Sequence, residues 1–312
     1  SQASPRFQPG GESKARRYFA SFLEERAENY TRYLSKPHLS RVGCSRLSPY
    51  IAYGNLSVRE IYQRSQRHRD LKPFGTEFDR FRDRLWWRSH YIQKLESEPQ
   101  LEFEPLNPGF KALSRPRDER MIRAFAEGKT GFPMIDASIR CLQANGYLNF
   151  RMRAMLATFG TFVLRQPFRP IAESLARLFL DYEPGIHFSQ IQMQAGLTGY
   201  HPLRIFSPIQ QGPKHDPEGV FVKTYLPELA EVPTPLIFTP WDMSEMEQQF
   251  YCCQLGRDYP APILDYDLAV KASKSTYWTL RQSQAVQSAL PALWRRHCLP
   301  ENIREYLQNY RA

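Results

Sequence analysis

Apolar side chains recur with helical spacing along most of this chain. In SKARRYFASFLEERAENYTRYL (13–34), Phe19, Phe22 and Leu23 fall on one face of a helix, while charged residues occupy the positions between them. This pattern predicts a helix across the segment. No alternating run of apolar and polar residues is long enough for a strand, and no internal repeat is found. The pattern therefore predicts an all-α protein.

A second helix is predicted over SVREIYQRSQRH (57–68), where Ser57 and Glu60 stand in the register of a capping box. Prolines are concentrated between residues 200 and 262, as in EVPTPLIFTPW and YPAPILD. They predict a series of turns over a scaffold rather than a domain of their own. The last fifty residues return to a helical pattern.

The helix predicted over GYLNFRMRAMLATFGTFVLR (146–165) has two different faces. One face is apolar and consists of Leu148, Met152, Met155, Phe159 and Phe162. The other carries Arg153, Ala157 and Gly160. Small residues beyond the arginine leave room for a flat, bulky group; close helix packing, with Arg153 paired to a surface acid, is the alternative.

Composition and charge narrow the candidate ligands. The 312 residues, 42% hydrophobic and 13% aromatic, suffice for one large core or two modest ones. The net charge is +10, and 32 of the 42 basic residues are arginine. Arginine suits forked recognition of phosphate, so polyphosphate ligands and nucleic acid are candidate partners, with a solvated basic surface as the alternative.

The sequence gives no sign of a membrane span or a metal site. AMLATFGTFVL (154–164) is too short to cross a bilayer, and the N-terminal residues contain no apolar signal core. The five cysteines and seven histidines lack the spacings typical of metal ligands. We therefore expect a soluble, cytoplasmic protein in a reducing compartment, without a metal.

EGKTG (127–131) has the ending of a phosphate-binding P-loop. The motif needs a glycine where this chain has Arg123, and a preceding strand where it has the helical RDERMIRAFA. A nucleoside triphosphatase is therefore not indicated.

The order of several motifs resembles that of the photolyase and cryptochrome family. These motifs are GCSRLSPYIAYGNLSVREIY (43–62), RLWWRSHYIQKL (84–95), EGKTGFPMIDASIRCLQANGYLNFRMR (127–153), DYEPGIH (181–187) and RIFSPIQQGPKHDPEG (204–219). The resemblance implies an all-helical domain that holds FAD in a bent conformation. We expect this domain at 19–265, a linker at 1–18 and a C-terminal helical extension at 266–312, with neither an antenna domain nor an antenna chromophore.

The resemblance also implies the residues that bind FAD. They are Cys44, Ser45, Arg46, Leu47, Ser48, Phe81, Arg84, Phe150, Arg153, Asp181, Glu183 and His187. Residues 44–48 match the family's phosphate-binding loop, with Cys44 where a threonine is usual. Arg153 and Asp181 match a charged pair beside the flavin, and Glu183 matches an acid near the ribityl and adenine groups.

The expected catalytic residues are His187, Arg153, Asp181 and Trp87. His187 falls at the position that faces flavin N5, where family members carry a small polar residue. A histidine there is expected to donate a proton to reduced flavin or to stabilise its anion. The alternative is that His187 caps a turn and contacts no flavin.

Several positions depart from the family's lesion pocket. Where the family's repair enzymes have a glutamate, an asparagine, a methionine and a tryptophan, this chain has Arg84, Phe150, Ala154 and Met193, respectively. A second tryptophan of the pocket is kept as Trp87. A cation in place of a carboxylate inverts the hydrogen-bonding role of the pocket, which argues against dimer repair in its usual form.

The electron route of the family is altered too. Ile191 and Phe168 stand where two of its tryptophans are usual, so photoreduction is expected to use other aromatic residues. The candidates are Tyr147, Tyr182 and Trp86. Three nearby glutamines, Gln190, Gln192 and Gln194, are interpreted either as a hydrogen-bonding lining or as amides that stabilise turns.

Three functions follow. The first is a photolyase-like flavoprotein that binds DNA through a basic, arginine-rich face and transfers electrons to a lesion in blue light. The second is a cryptochrome-like light or redox sensor that acts through a protein partner. The third, a flavin-free helical adaptor, is disfavoured because an empty cavity gives no reason to keep Arg153 and Asp181 inside it.

Overall fold

The computed structural model describes residues 7–113 and 115–298. Parts of the expected linker (residues 1–6) and of the expected C-terminal extension (residues 299–312) lie outside the described residues. The described chain contains helices and no β-strand, and the all-α prediction is confirmed.

The α-helices, in chain order, are α1 (Glu12–Glu24), α2 (Tyr30–Tyr33), α3 (Ser40–Gly43), α4 (Ser48–Ala52), α5 (Val58–Leu71), α6 (Gly75–Ser97), α7 (Glu119–Glu127), α8 (Pro133–Asn145), α9 (Phe150–Thr158), α10 (Phe168–Ala176), α11 (Pro184–Gln194), α12 (Pro208–His215), α13 (Val220–Tyr225), α14 (Thr234–Ile237), α15 (Glu245–Phe250), α16 (Tyr266–Arg281) and α17 (Gln284–His297). Short 3₁₀ segments lie at Arg26–Asn29, Pro99–Glu102, Pro108–Ala112, Pro227–Leu229 and Pro240–Asp242, and one π-helical turn at Phe159–Val163.

Two large apolar cores organise these helices. One is built mainly from α8, α9, α10 and α11, and the other from α1, α4, α5 and the first half of α6. Helix α11 packs against both α6 and α9, so it connects the two cores. A smaller core beneath α17 includes Tyr200 and Trp294.

The helix predicted over 13–34 is broken after Glu24, which corrects the expectation of a continuous helix. At the break, the guanidinium of Arg26 turns inward and donates hydrogen bonds to backbone carbonyls. The acceptors are the carbonyls of Tyr18, Cys44 and Ser45. The chain passes through a 3₁₀ turn to bring this side chain inside. Helical periodicity does not reveal such a long-range contact.

The helix predicted over 57–68 is confirmed as α5. The Ser57 side chain accepts from the Glu60 N–H at 3.0 Å, as half of a capping box. The Glu60 carboxylate contacts Arg16 and Arg64 instead of reaching back to the N-cap. The proline-rich segment between residues 200 and 262 folds into short helices joined by turns. Two of these helices, α12 and α13, pack on α8, as expected for turns over a scaffold.

The stretch 146–165 folds as α9 followed by the π-helical turn. All members of the predicted apolar face are buried. Arg153 and Ala157 lie on the opposite face, next to a large cavity. Gly160 differs from the expectation: a Cβ there would lie 2.7 Å from Ile171 Cγ2, so this glycine serves helix packing and not a ligand.

The EGKTG turn has a structural role. Gly128 ends α7 in the left-handed conformation, at φ 64°. The buried Asp136 carboxylate then accepts from the Thr130 N–H and hydroxyl and from the Gly131 N–H. Within residues 7–113 and 115–298, no helix is both long and apolar enough to cross a bilayer. That same part of the chain holds no cluster of three side chains able to ligate a metal.

Candidate functional site

A cavity of about 1430 Å³ lies between the two large cores. Its walls come from the start of α4, from α6, α9 and α11, from residues 201–206 and from the end of α16. The resemblance implies thirteen different site residues, namely the twelve expected to bind FAD and Trp87, and eleven of them line this cavity. They are Ser45, Leu47, Ser48, Phe81, Arg84, Trp87, Phe150, Arg153, Asp181, Glu183 and His187.

The expected phosphate-binding loop contributes only part of its residues to this wall. Ser45 and Ser48 bring hydroxyls to the cavity, and Ser48 starts α4 with Pro49 in the first turn. Cys44 and Arg46 are not among the lining residues. Burial raises the pKa of the Cys44 thiol to about 12, and the Arg46 guanidinium lies 4.2 Å from the ring centroid of Tyr147. Both residues are buried, and neither lines the cavity.

Arg153 and Asp181 form the expected charged pair. Nη1 and Nη2 of Arg153 each donate to one carboxylate oxygen of Asp181 at 2.9 Å. Nε donates to the Leu148 carbonyl at 2.7 Å, and the guanidinium lies over the ring of Phe179. The pair is planar, forked and part of the cavity wall, so both charges are compensated before any ligand binds.

His187 lies inside α11 and lines the cavity. Its Nε2 is 2.8 Å from the Ala172 carbonyl oxygen. Because a carbonyl only accepts, Nε2 carries the proton. Burial lowers the pKa of His187 to about 4, so the ring is neutral near pH 7 and Nδ1 is a hydrogen-bond acceptor. The N-cap of α11 is Glu183 and not His187, and the role of His187 toward the flavin stays a prediction.

Gly185 allows this segment to approach α6. A Cβ at Gly185 would lie 2.7 Å from Ile92 Cα, closer than packing allows. The N-cap Glu183 accepts from the Gly185 N–H at 3.4 Å and lies 3.7 Å from Arg88 on α6. The Pro-Gly sequence in DYEPGIH is therefore needed for backbone contact, which holds the acidic residues at the cavity.

The three glutamines divide between the two interpretations. Gln192 is fully buried and acts as a clamp: its Oε1 accepts from the Leu106 N–H, and its Nε2 donates to the carbonyls of Leu101 and Glu104. Gln190 and Gln194 line the cavity. The amide row thus serves both the fold and the wall of the site.

Large aromatic side chains at the cavity remain accessible. Trp87 is 46% exposed, Phe150 48% and Trp278 42%. They come from α6, α9 and α16, and Arg281 lies over Trp278 with its guanidinium carbon 4.9 Å from the ring centroid. Trp278 and Arg281 belong to the expected C-terminal extension, and sequence reasoning missed them; their i, i+3 spacing on one helix was the available signal.

The cavity wall carries an excess of positive charge. Among the described residues that line it, the cationic side chains are Arg84, Arg88, Arg151, Arg153, Arg204 and Arg281, and the carboxylates are Asp181 and Glu183. Arg88, Arg151 and Arg204 were also missed by the sequence analysis. Such a surplus attracts anionic ligands, in agreement with the expected basic face.

The candidates for a replacement electron route lie in different places. Tyr147 and Tyr182 line the cavity, whereas Trp86 is 64% exposed and is not a lining residue. Ile191 lines the cavity, and Phe168 is buried in the first core. Neither of the last two is readily oxidised.

The wall offers groups that suit FAD. Asn149 Oδ1, Arg151 Nε and Gln190 Oε1 are buried atoms of lining residues that have no hydrogen-bond partner within the protein. Buried polar atoms are seldom left unpaired, so they point to a polar ligand. Arginines and serine hydroxyls suit a pyrophosphate, and apolar side chains such as Ala154 and Ala157 leave space for a flat ring.

Sequence comparison identifies the family. A profile of the FAD binding domain of DNA photolyase matches residues 81–279, more than half of the chain. A deoxyribodipyrimidine photo-lyase of Alkalihalophilus pseudofirmus is 33% identical over 269 residues, which cover 86% of this chain and 55% of that protein. The chain belongs to the photolyase and cryptochrome family, and its cofactor is FAD.

Other relatives include both kinds of family member. Cryptochrome DASH of Natronomonas pharaonis is 30% identical, covering 83% of this chain and 55% of the relative. A Synechocystis cryptochrome structure matches with a TM-score of 0.83 at 25% identity, covering 88% of this chain and 58% of that one. The structure of a class III photolyase from Agrobacterium tumefaciens matches with a TM-score of 0.80 at 26% identity, and the match covers 88% of this chain and 56% of that one. The chain thus spans about half the length of these relatives.

Proposed function

We propose that this protein is a photolyase-like flavoprotein that binds DNA and transfers electrons in blue light, with an altered lesion pocket. The observation that carries the proposal is that accessible aromatic side chains and surplus arginines line the same cavity that holds FAD. Aromatic faces stack on bases, and arginines pair with phosphates. FAD supplies light absorption and one-electron chemistry.

The protein side chains hold and tune the cofactor. Ser45 and Ser48 would bind its phosphates, and the Arg153–Asp181 pair would lie beside its ring system. The neutral His187 offers Nδ1 as an acceptor, which favours a ligand that presents an N–H there. His187 would therefore favour the protonated form of a ring nitrogen placed beside Nδ1, and it would do so without gaining or losing a proton itself near neutral pH.

The lesion pocket differs from one built around a carboxylate. Arg84 lines the cavity and, near Tyr30, presents a donor where the family's glutamate accepts. Met193 and Ala154 lack an indole and a thioether, respectively. We infer that contacts to nucleic acid are mainly to phosphates, with Trp87 as a stacking platform.

The test starts from an absorption spectrum of the purified protein across the near-ultraviolet and visible range. The spectrum is compared before and after blue light with a thiol reductant, and the released chromophore is identified. We expect FAD bands that bleach in light. Next, affinity for single- and double-stranded oligonucleotides carrying a pyrimidine dimer is measured between about 50 and 200 mM salt, where phosphate-dominated binding falls steeply. Affinity that is independent of salt contradicts the DNA-binding part.

A second candidate is a cryptochrome-like sensor that acts through a protein partner. It is favoured by one surface feature: Met246 and Phe250, four residues apart on α15, are each 79% exposed. Apolar pairs of this kind are typical of protein contacts. Two results together would favour this function over repair. The flavin bleaches in light but the protein neither binds nor repairs DNA, and a protein partner binds in a light-dependent way to the wild type but not to the double variant Met246→Ser/Phe250→Ser.

A further inference from the structure

A row of oxidisable rings leaves the cavity along α6. Trp87 and Tyr91 both line the cavity and are stacked, with ring centroids 5.6 Å apart and planes at 28°. Tyr91 is almost fully buried, and its hydroxyl lies 3.8 Å from Met193 Sδ. Burial raises the pKa of Tyr91 to about 12, so its phenol stays protonated near neutral pH. Tyr91 is thus a buried phenol that reaches the cavity to which we assign the flavin.

Lys94, one turn further along α6, connects Tyr91 to a second tyrosine. Its amine lies 5.6 Å from the ring centroids of both Tyr91 and Tyr200, and 3.0 Å from the Tyr200 hydroxyl oxygen. Lys94 is 4% exposed, and no carboxylate of the described chain lies within ion-pair distance of it. Burial lowers the pKa of Lys94 to about 8. A buried lysine that loses its proton this readily is a candidate base.

Tyr200 continues the row towards the surface. It is fully buried; its ring lies 4.4 Å from that of His201, a cavity-lining residue, and is nearly parallel to that of His297 at 6.4 Å. His297 Nε2 lies 3.0 Å from Glu98, which also pairs with the exposed Arg296. The row therefore begins at the cavity and continues through the buried Tyr200 to His297 and Glu98, which lie beside the exposed Arg296.

Two other cavity tyrosines, Tyr147 and Tyr182, are less suited to give up an electron. The ring of Tyr147 lies 4.2 Å from the Arg46 guanidinium and 5.6 Å from that of Arg153, and these two guanidinium groups keep the positive charge that opposes loss of an electron. The Lys94 amine beside Tyr91 and Tyr200 instead becomes neutral as pH rises through about 8. Tyr182 contacts His187, and among the residues that the structure describes its ring contacts no further tyrosine or tryptophan.

We propose that Tyr91 and Tyr200 relay electrons from the protein surface to the photoexcited flavin, and that Lys94 accepts the phenolic proton of Tyr200. The inference rests on the proposed light-driven electron transfer. Tyr91 gives one electron to the excited, oxidised flavin and regains one from Tyr200. The Tyr200 O–H bond breaks, and its proton moves to the lone pair of neutral Lys94. An external thiol returns one electron to Tyr200, and Lys94 returns the proton. Two such turns deliver two electrons to the flavin and convert two thiols into one disulfide, and the two thiol protons are released to solvent.

This assignment carries a pH dependence. The charged or titratable groups around Lys94 are His90, Glu98, His201, Arg204, His297 and Cys298. Burial lowers the pKa values of His90 and His201 to about 4 and 3, and raises that of Cys298 above its usual range. Burial also lowers the pKa of His297, so the shifts of the three histidines and of Cys298 all favour their neutral forms, and the change of charge near pH 8 is assigned to Lys94. Photoreduction becomes faster as pH rises through about 8, because only the neutral amine accepts a proton.

The experiment uses FAD-loaded protein, blue light and a thiol reductant. Tyr91→Phe and Tyr200→Phe are expected to slow flavin photoreduction by about tenfold, and Lys94→Gln is expected to remove the rise with pH. Tyr277→Phe is the matched control: Tyr277 is fully buried, its hydroxyl donates to the Gly196 carbonyl at 3.3 Å, and it does not line the cavity. The control should keep the wild-type rate.

Two readouts do not depend on the photoreduction rate. In the dark, the NMR titration of the Lys94 side chain should give a pKa near 8, and a value above about 10 overturns its role as a base. After illumination, electron paramagnetic resonance should show a tyrosyl radical that is lost in Tyr200→Phe. A wild-type protein that binds FAD but is not reduced in light contradicts both the relay and the proposed function. Equal rates in wild type, Tyr91→Phe and Tyr200→Phe contradict the relay alone.

Discussion

Arg153 and Asp181 are joined by two parallel hydrogen bonds, Nη1 to Oδ1 and Nη2 to Oδ2, each of 2.9 Å. The two residues are 28 positions apart in the sequence and come from α9 and from the segment before α11. This pair fixes the relative position of two cavity walls.

Replacing Asp181 with asparagine should weaken both the fold and cofactor binding. Asp181→Asn leaves the Arg153 guanidinium without a carboxylate in a wall that is mostly removed from solvent, a change expected to lower the free energy of unfolding by about 3 kcal/mol. Urea unfolding and the FAD-to-protein ratio measure the two effects. Glu173→Gln, which breaks an exposed pair with Arg169, is the control and should change stability by less than about 0.5 kcal/mol. An unchanged FAD ratio in Asp181→Asn would contradict the position assigned to the cofactor.

Stability should fall as the pH drops from about 6.5 to about 4. The folded protein holds His187 neutral, with a pKa lowered to about 4, whereas an unfolded histidine titrates near 6.5. Between these values the unfolded chain binds more protons, so acid favours unfolding, by up to about 3 kcal/mol for this residue. His187→Asn should make urea midpoints less dependent on pH over this window. The same pH dependence in wild type and His187→Asn would mean that His187 is not held neutral in the folded protein.

Gln192 and Gln190 should respond differently to the same substitution. Gln192→Leu leaves the Leu106 N–H and two carbonyls unpaired in the interior, which should cost about 3 kcal/mol of stability. Gln190→Leu alters the cavity wall and should cost less than about 1 kcal/mol while weakening FAD binding. If the two variants lose the same stability, then Gln192 does not have the structural role, and Gln190 the binding role, that we assign to them.

Gly185→Ala tests the close approach of α11 to α6. The added Cβ meets Ile92 Cα at 2.7 Å, so the helices must separate, at a cost of about 2 kcal/mol and with a loss of FAD affinity. Gly10→Ala meets no atom within 4 Å and should alter stability by less than about 1 kcal/mol. Thermal unfolding of both variants with and without added FAD makes the comparison. A Gly185→Ala protein as stable as Gly10→Ala would show that the contact between α11 and α6 is adaptable.

The sequence alone determined the helical class, several of the helices and the charged pair. Helical periodicity depends on residues three or four positions apart, so the apolar face of 146–165 and the position of α5 were readable locally. Arg153 and Asp181 were assigned because each stands in a motif that resembles the family's. The break after Glu24 could not be predicted, because Arg26 is held there by the carbonyls of Cys44 and Ser45, which belong to another segment.

Tertiary structure decided the chemistry of the individual side chains. The tautomer of His187 depends on the Ala172 carbonyl, fifteen residues away in sequence, and its low pKa on burial. Lys94 meets Tyr200 across a separation of 106 positions. Protonation state and hydrogen-bond role are set by whichever groups surround a side chain in space, and in a helical protein those groups come from segments that no local pattern relates.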